Sequence, residues 1–100
     1  MAEPFKLRYT EKVLADLGTL RKFDQRRVLD AIVLHLSHEP TRVSKSRIKR
    51  MVQPFWSQYR LRIDEFRVYY DVDLNARAVN LLRVLTKDTE STQTTQEQSP

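Results

Sequence analysis

A chain of 100 residues supports one domain with one modest core. Its 18 Lys and Arg outnumber 13 Asp and Glu, and it holds no cysteine for a disulfide or a Cys-based zinc site. No apolar run reaches membrane-spanning length and the N-terminus carries no hydrophobic signal segment, so a cytoplasmic location is expected.

The charge is unevenly placed. All the basic residues lie at or before Lys87, whereas Asp88, Glu90 and Glu97 follow it, so residues 1–87 hold 18 basic and 10 acidic side chains, a net +8. Such an excess on a small domain points to a polyanionic partner or an acidic protein partner. Residues 88–100 contain no aliphatic or aromatic side chain and are expected to form a disordered polar tail behind a single domain at 1–87.

In chain order, Phe5, Leu7 and Tyr9 alternate with Lys6 and Arg8, the period of a half-buried strand. Thr10 is a plausible helix N-cap, and Val13, Leu14, Leu17 and Leu20 predict a helix over 11–22, weakened in its interior by Gly18. Asp24 reads as a second N-cap. Val28, Leu29, Ile32, Val33 and Leu36 then extend a second helix to about His38, before Pro40 ends the pattern. The basic stretch 41–54 reads as a loop with room for a short strand or a turn of helix. Beyond Pro54 the period falls to two: Tyr59, Leu61 and Ile63, then Phe66, Val68, Tyr70 and Val72, then a nearly continuous apolar run over 78–85. The order β-α-α-β-β-β gives an α+β fold, a two-helix hairpin packed on a mainly antiparallel sheet.

Register makes the third and fourth of these segments informative. If Asp64-Glu65 is a two-residue turn, Ile63 faces Phe66, Arg62 faces Arg67, Leu61 faces Val68 and Arg60 faces Tyr69. One side of the hairpin is then apolar and suited to cover the helices, and the other carries Arg60, Arg62, Arg67 and Tyr69. Arginines directly across an antiparallel pair repel, so this face needs a counter-charge. Asp64 or Asp71 is near enough in sequence to supply it. A phosphate group would supply it through planar, bidentate guanidinium contacts. A solvated face with salt bridges is the alternative.

The stretch Tyr59-Arg-Leu-Arg-Ile-Asp-Glu-Phe-Arg-Val-Tyr-Tyr-Asp-Val72 resembles the central hairpin of RelE/ParE-family toxins. The stretch Asp30 to Pro40 is similar to the end of that family's second helix, and Val79 to Lys87 to its final strand running into a basic residue. The resemblance spans about 5–87 and implies a microbial RNase-like fold. For the RelE branch it also implies metal-independent cleavage of mRNA in the ribosomal decoding site, leaving a 2′,3′-cyclic phosphate. By that likeness Arg60 and Arg62 bind phosphates, Arg67 stabilises the transition state and Lys87 is the further basic residue after the last strand. The branch's Tyr or His near the C-terminus is missing, the matching position being near Gln93; Tyr69, on the arginine face, is one candidate substitute for proton transfer, with a structural aromatic as the alternative reading. ParE-branch toxins, which act on DNA gyrase, usually lack this full basic set. A gyrase-inhibiting toxin and a non-catalytic RNA-binding or antitoxin-binding member of the fold stand as alternatives. Each reading implies an antitoxin partner with an acidic or amphipathic segment, and the ribonuclease reading adds mRNA and the ribosome; no cofactor is expected.

Lys45, Arg47, Lys49 and Arg50, with Arg83 on the last strand, are further candidate RNA contacts, by sequence-independent attraction to backbone phosphate. Phe55 and Trp56 are expected to cover the apolar side of the sheet, with base stacking as the lesser reading. His35 and His38, at the end of the second helix, and Glu65 and Asp71 are minor candidates for catalysis. There is no Gly-rich phosphate loop, metal-ligand spacing or Ser-His-Asp arrangement, and Gly18 is the only glycine.

Overall fold

In the computed structural model of the chain, residues 3–87 are described; the expected polar tail at 88–100 lies outside the described residues. The elements run β1 (Lys6–Tyr9), α1 (Glu11–Gly18), α2 (Lys22–Leu36), β2 (Ile48–Arg50), β3 (Tyr59–Ile63), β4 (Phe66–Asp73) and β5 (Ala78–Thr86). They form one five-stranded sheet in the order β1-β5-β4-β3-β2. Strand β1 runs parallel to β5 and every other pairing is antiparallel. The α+β architecture expected from the periodicities is present, with one strand added: Ile48–Arg50, inside the stretch read as a loop, pairs along β3.

The helix ends follow local chemistry. The Thr10 hydroxyl accepts from the Val13 N–H at 3.3 Å and donates to the Leu81 carbonyl at 2.7 Å, so one residue caps α1 and fastens it to β5. The helix stops at Gly18 rather than at residue 22, closed by Thr19, whose backbone N–H bonds back to Asp16 and Leu17 carbonyls. Gly18 therefore stands at a helix terminus, where its conformational cost is smaller than in the interior. Asp24 is not the N-cap of α2. Arg21 holds that position in an extended conformation without a side-chain cap. Asp24 lies buried one turn inside, paired with Arg21 at 3.5 Å and Arg27 at 3.4 Å, where a carboxylate also meets the positive end of the helix dipole.

Both helices lie on one face of the sheet and bury a narrow stripe: Val13 and Leu17 from α1, Val28, Ile32 and Leu36 from α2. These meet Tyr59, Leu61, Ile63, Phe66, Val68 and Tyr70 from the β3–β4 hairpin. Leu14 and Val33, expected in the same stripes, are exposed. Tyr70 is fully buried. Its ring stacks on Tyr59 at 5.5 Å and its hydroxyl donates to the Pro40 carbonyl at 2.6 Å, which ties the chain leaving α2 to the sheet. Burial, with a smaller contribution from Tyr59, raises the Tyr70 pKa, so the phenol stays a donor.

The β3–β4 turn has the tight form. Ile63 pairs with Phe66, and Asp64 takes the left-handed region at φ 52°, which Asp tolerates better than most residues. From α2, Arg27 reaches the turn and pairs with Asp64 at 2.8 Å and Glu65 at 3.2 Å. Its guanidinium lies 5.6 Å from the Phe23 ring centre and 5.6 Å from that of Phe66. A bond to its own backbone N–H, then the bond to Arg27, hold the Glu65 carboxyl below the ordinary range.

Two outcomes follow. Tyr70→Phe should lower the unfolding free energy by about 1–2 kcal/mol in urea titrations, because it leaves a buried carbonyl without its donor. Arg27→Met should keep the packed stem but remove the ion pairs, costing about 1 kcal/mol. Its signature is salt: the part of the difference due to exposed Asp64 and Glu65 should shrink as ionic strength rises toward 1 M, while the part due to buried Asp24 persists.

Candidate nucleic-acid interface

Pleating sends alternate residues of a strand to opposite faces. With Tyr59, Leu61 and Ile63 in the core, Arg60 and Arg62 are directed to the face away from the helices. Strand β2 extends that face: Lys49 pairs with Arg60, and the Arg62 N–H donates to the Arg47 carbonyl at 2.8 Å. Two rows cross the sheet as a result. One runs Lys49, Arg60, Tyr69, Arg83, and the other Arg47, Arg62, Arg67. Lys45, Arg47, Lys49, Arg60 and Arg62 line a cleft of about 110 Å³ at the β2 edge.

The predicted juxtaposition of Arg62 and Arg67 is present, and the two guanidinium groups are held apart by where each is placed. Arg67 is only 6% exposed, and its guanidinium folds over the turn to donate to the Asp64 carbonyl at 2.8 Å and the Phe66 carbonyl at 3.1 Å. Arg62 is exposed, with no ion-pair partner among the described residues. The acids thought able to balance the pair are engaged elsewhere: Asp64 with Arg27, and Asp71 with the Gln58 N–H at 2.7 Å. Lys87 stands at the same end of the hairpin. It is exposed, and its N–H donates to the Glu65 carbonyl at 2.9 Å.

Several expectations are corrected. Phe55 and Trp56 do not cover the apolar side of the sheet. Their rings lie 5.9 Å and 4.5 Å from that of Tyr69, on the outer face, and 5.0 Å from each other. Tyr69 puts a large apolar ring on the face that the helices leave uncovered, and the loop between β2 and β3 folds over it. That loop is pinned by the Gln53 side-chain amide on the Ser57 carbonyl, and by Gln58, whose side-chain carbonyl accepts from the Val72 N–H. Tyr69 is 0% exposed, its hydroxyl included, so it does not present a proton to a substrate in this arrangement.

Arg83 also departs from its expected role. Its register places it beside Tyr69, yet Nε and Nη2 bond the two oxygens of Asp16 at 2.8 and 3.0 Å, which raises the Arg83 pKa. The cause lies in the sheet edge. Strand β1 pairs with β5 only as far as Leu81, so the Val84 N–H beyond it is left open, and Asp16 accepts that bond too at 2.8 Å. Arg83 is a fastening between α1 and β5. Arg50 turns to the helix face, donating to the Tyr59 hydroxyl at 2.8 Å with its guanidinium 5.1 Å from that ring. Arg47 donates to the Arg62 carbonyl at 3.0 Å. Lys45 and Lys49 are exposed.

His35 and His38 line a separate cleft of about 250 Å³ below the same Ser44–Ile48 segment, together with Arg42 and Arg47. Burial, then the charge of Arg47, lowers the His35 pKa. Neither histidine joins the arginine rows. Sequence reasoning missed Arg27, which has no periodicity or motif to distinguish it from the other basic residues of α2. Among the described residues, no cluster of three or more His, Cys, Asp or Glu side chains is placed to hold a metal ion, and no helix is long and apolar enough to cross a membrane.

The sequence matches, over residues 7–90, the model of a family described as the ParE toxin of the type II toxin-antitoxin system parDE. No match was found among curated proteins. The fold is similar to the RelBE2 toxin-antitoxin complex of Mycobacterium tuberculosis, with TM-score 0.71 and 26% identity, covering 83% of this chain and 98% of that one. It is similar to the archaeal RelE-RelB complex of Pyrococcus horikoshii OT3, with TM-score 0.67 and 22% identity over 83% and 94% of the two chains. A third similar structure is a mutant of the E. coli toxin RelE in the free state, with TM-score 0.66 and 15% identity over 91% and 92%. The family match spans most of the chain and the architecture is that of RelE toxins, so the protein belongs to the RelE/ParE family of toxins of type II toxin-antitoxin systems.

Proposed function

We propose that the protein is the ribonuclease type of toxin: an endoribonuclease that cleaves mRNA on the ribosome in the cytoplasm, restrained by an antitoxin. The observation that carries this reading is the pair of basic rows on the helix-free face, with Arg62 exposed and without an ion-pair partner among the described residues. Lys49, Arg60 and Arg62 are spaced along neighbouring strands to follow successive phosphates, and guanidinium groups suit phosphate oxygens in a planar, bidentate fashion. Exposed Lys87 stands at the hairpin end, where it meets charge that develops on the phosphoryl oxygens, and Arg67, held on the turn carbonyls, adds its charge from beneath.

In this mechanism the RNA's own 2′-hydroxyl attacks the adjacent phosphorus and the 5′-oxygen of the next nucleotide leaves. The products are a 2′,3′-cyclic phosphate and a 5′-hydroxyl. The proton lost from the 2′-hydroxyl is balanced by one delivered to the leaving oxygen. With Tyr69 enclosed, we assign delivery of that proton to the exposed side chain of Lys87 at the end of the hairpin. General acid-base catalysis typically contributes about 10²–10⁴-fold. A toxin relying mainly on guanidinium electrostatics and on positioning by the ribosome is therefore a slow one.

A gyrase-directed toxin is the second reading. It is favoured by the family description, which names the ParE toxin, and by the burial of Tyr69. An antitoxin partner is supported under both readings by the similar structures, two of which are RelE-RelB complexes from archaea. The exposed Phe23 and Leu34 on α2 and the net +8 of residues 1–87 suit an acidic, amphipathic partner segment.

Expression without an antitoxin should arrest growth, and primer extension should then map cuts within translated messages. Arg62→Ala and Arg67→Ala should each lower cleavage by about 10²-fold, the usual effect of removing one charge-stabilising donor. Arg62→Ala is the cleaner test because Arg67 also holds the turn. Arrest with intact messages and broken chromosomal DNA would transfer the assignment to gyrase. Normal growth with tight RNA binding would leave a non-catalytic module.

A further inference from the structure

Three rings are layered on the outer face, and they are unequally covered. Tyr69 is 0% exposed, Phe55 is half-buried, and Trp56 is 40% exposed. Trp56 lies 5.0 Å from Phe55, stacked at 26°, and 4.5 Å from Tyr69, tilted at 44°, so these neighbours support it while the residue keeps two-fifths of its surface in solvent. The platform is braced from both sides. Gln53 and Gln58 fix the ends of the loop by bonds to the Ser57 carbonyl and the Val72 N–H, and Asp71 accepts the Gln58 N–H. Its footing also has a definite place: Tyr69 is the direct cross-strand partner of Arg60, which is in turn the partner of Lys49. A supported aromatic surface thus adjoins a row of cations.

Single-stranded nucleic acid is recognised by that pairing of features, with phosphates following the positive groove and bases stacking on aromatic rings. We propose that Trp56 is a base-stacking platform that takes one nucleobase of a single-stranded RNA whose backbone runs along Lys49, Arg60 and Arg62. The inference rests on the RNA-directed reading above and adds a residue and a contact to it. Every base has a flat π-face, so the contact tolerates sequence and contributes affinity rather than codon choice. Double-stranded RNA, whose bases are already stacked, does not use it.

Trp56 is the single tryptophan of the chain, so its emission reports on this site alone. The full chain is titrated with a six-nucleotide, 2′-O-methylated single-stranded RNA, which cannot be cleaved by 2′-hydroxyl attack. A matching oligonucleotide with abasic positions, an RNA duplex and poly-glutamate serve for comparison. Affinity is read separately by anisotropy of end-labelled oligonucleotides. The expected result is quenching of Trp56 emission by the base-bearing strand only, and about tenfold weaker binding of the abasic strand. Trp56→Ala should lose about tenfold for the base-bearing strand and nothing for the abasic one, whereas Trp56→Phe should keep most of the affinity. The abasic comparison on the unaltered chain needs no variant and stands if Trp56→Ala does not fold. Equal affinity for the base-bearing and abasic strands, with no quenching, would overturn the stacking role while leaving RNA binding intact. Quenching by poly-glutamate as strong as that by RNA would overturn it in favour of an acidic protein partner. Absence of binding to every RNA strand would remove the RNA-directed reading itself, and the platform with it.

Discussion

Strands β3 and β4 meet through a turn of only two residues, and a slip of one position there would exchange the faces of the sheet. Arg60, Arg62 and Arg67 would then point into the helices, and Leu61, Ile63 and Val68 would face water. The burial of those apolar residues against Val28, Ile32 and Leu36 makes such a slip prohibitively costly. The register is thus enforced from the helix side, and the basic face is its consequence. Arg27 adds a second hold at the turn itself, because it carries the positive partner of Asp64 and Glu65 on a side chain rooted in α2. Fold and candidate site share one determinant.

Much of this was legible in the sequence because period-two patterning and a short polar turn are local signals. Ile63 opposite Phe66 and Arg62 opposite Arg67 follow from the alternation of residues 59–72 and from Asp64-Glu65 alone. The α1 N-cap at Thr10 was equally local. The features that escaped depend on what a residue meets far along the chain. Arg83 reads like any basic strand residue until Asp16, 67 positions earlier, is brought to it by the end of β1. Phe55 and Trp56 read as core aromatics, yet the helices already fill the apolar face, and Tyr69 is the surface left for them to cover. Asp24 has the composition of an N-cap, and its actual position is set by its pairing with Arg21 and Arg27 inside the first turn.

Arg67 illustrates how a basic face is accommodated on a small domain. Seven cationic side chains lie in the two rows or at the end of the hairpin: Arg47, Lys49, Arg60, Arg62, Arg67, Arg83 and Lys87. The structure limits their mutual repulsion by giving several of them fixed partners: turn carbonyls for Arg67, a backbone carbonyl for Arg47 and a carboxylate for Arg83. Side chains fixed in this way have less entropy left to lose on binding a ligand. Lys45 and Lys49 at the rim are exposed, and long flexible ammonium side chains suit long-range attraction rather than exact placement.

The short strand β2 has an implication apart from recognition. It closes the β3 side of the sheet, and its own outer edge is partly filled: Ile48 donates its N–H to the Ser44 hydroxyl at 3.2 Å and accepts the Ser44 N–H at 2.9 Å, which shortens the template that a sheet edge offers another chain. Three residues are too few to offer a long template, and the two that follow Ile48 are Lys49 and Arg50. Two copies meeting edge to edge would bring like charges together in the first moments of contact. The charge of Lys49 and Arg50 at this edge thus disfavours edge-to-edge pairing of two copies, so its loss carries a cost in solubility.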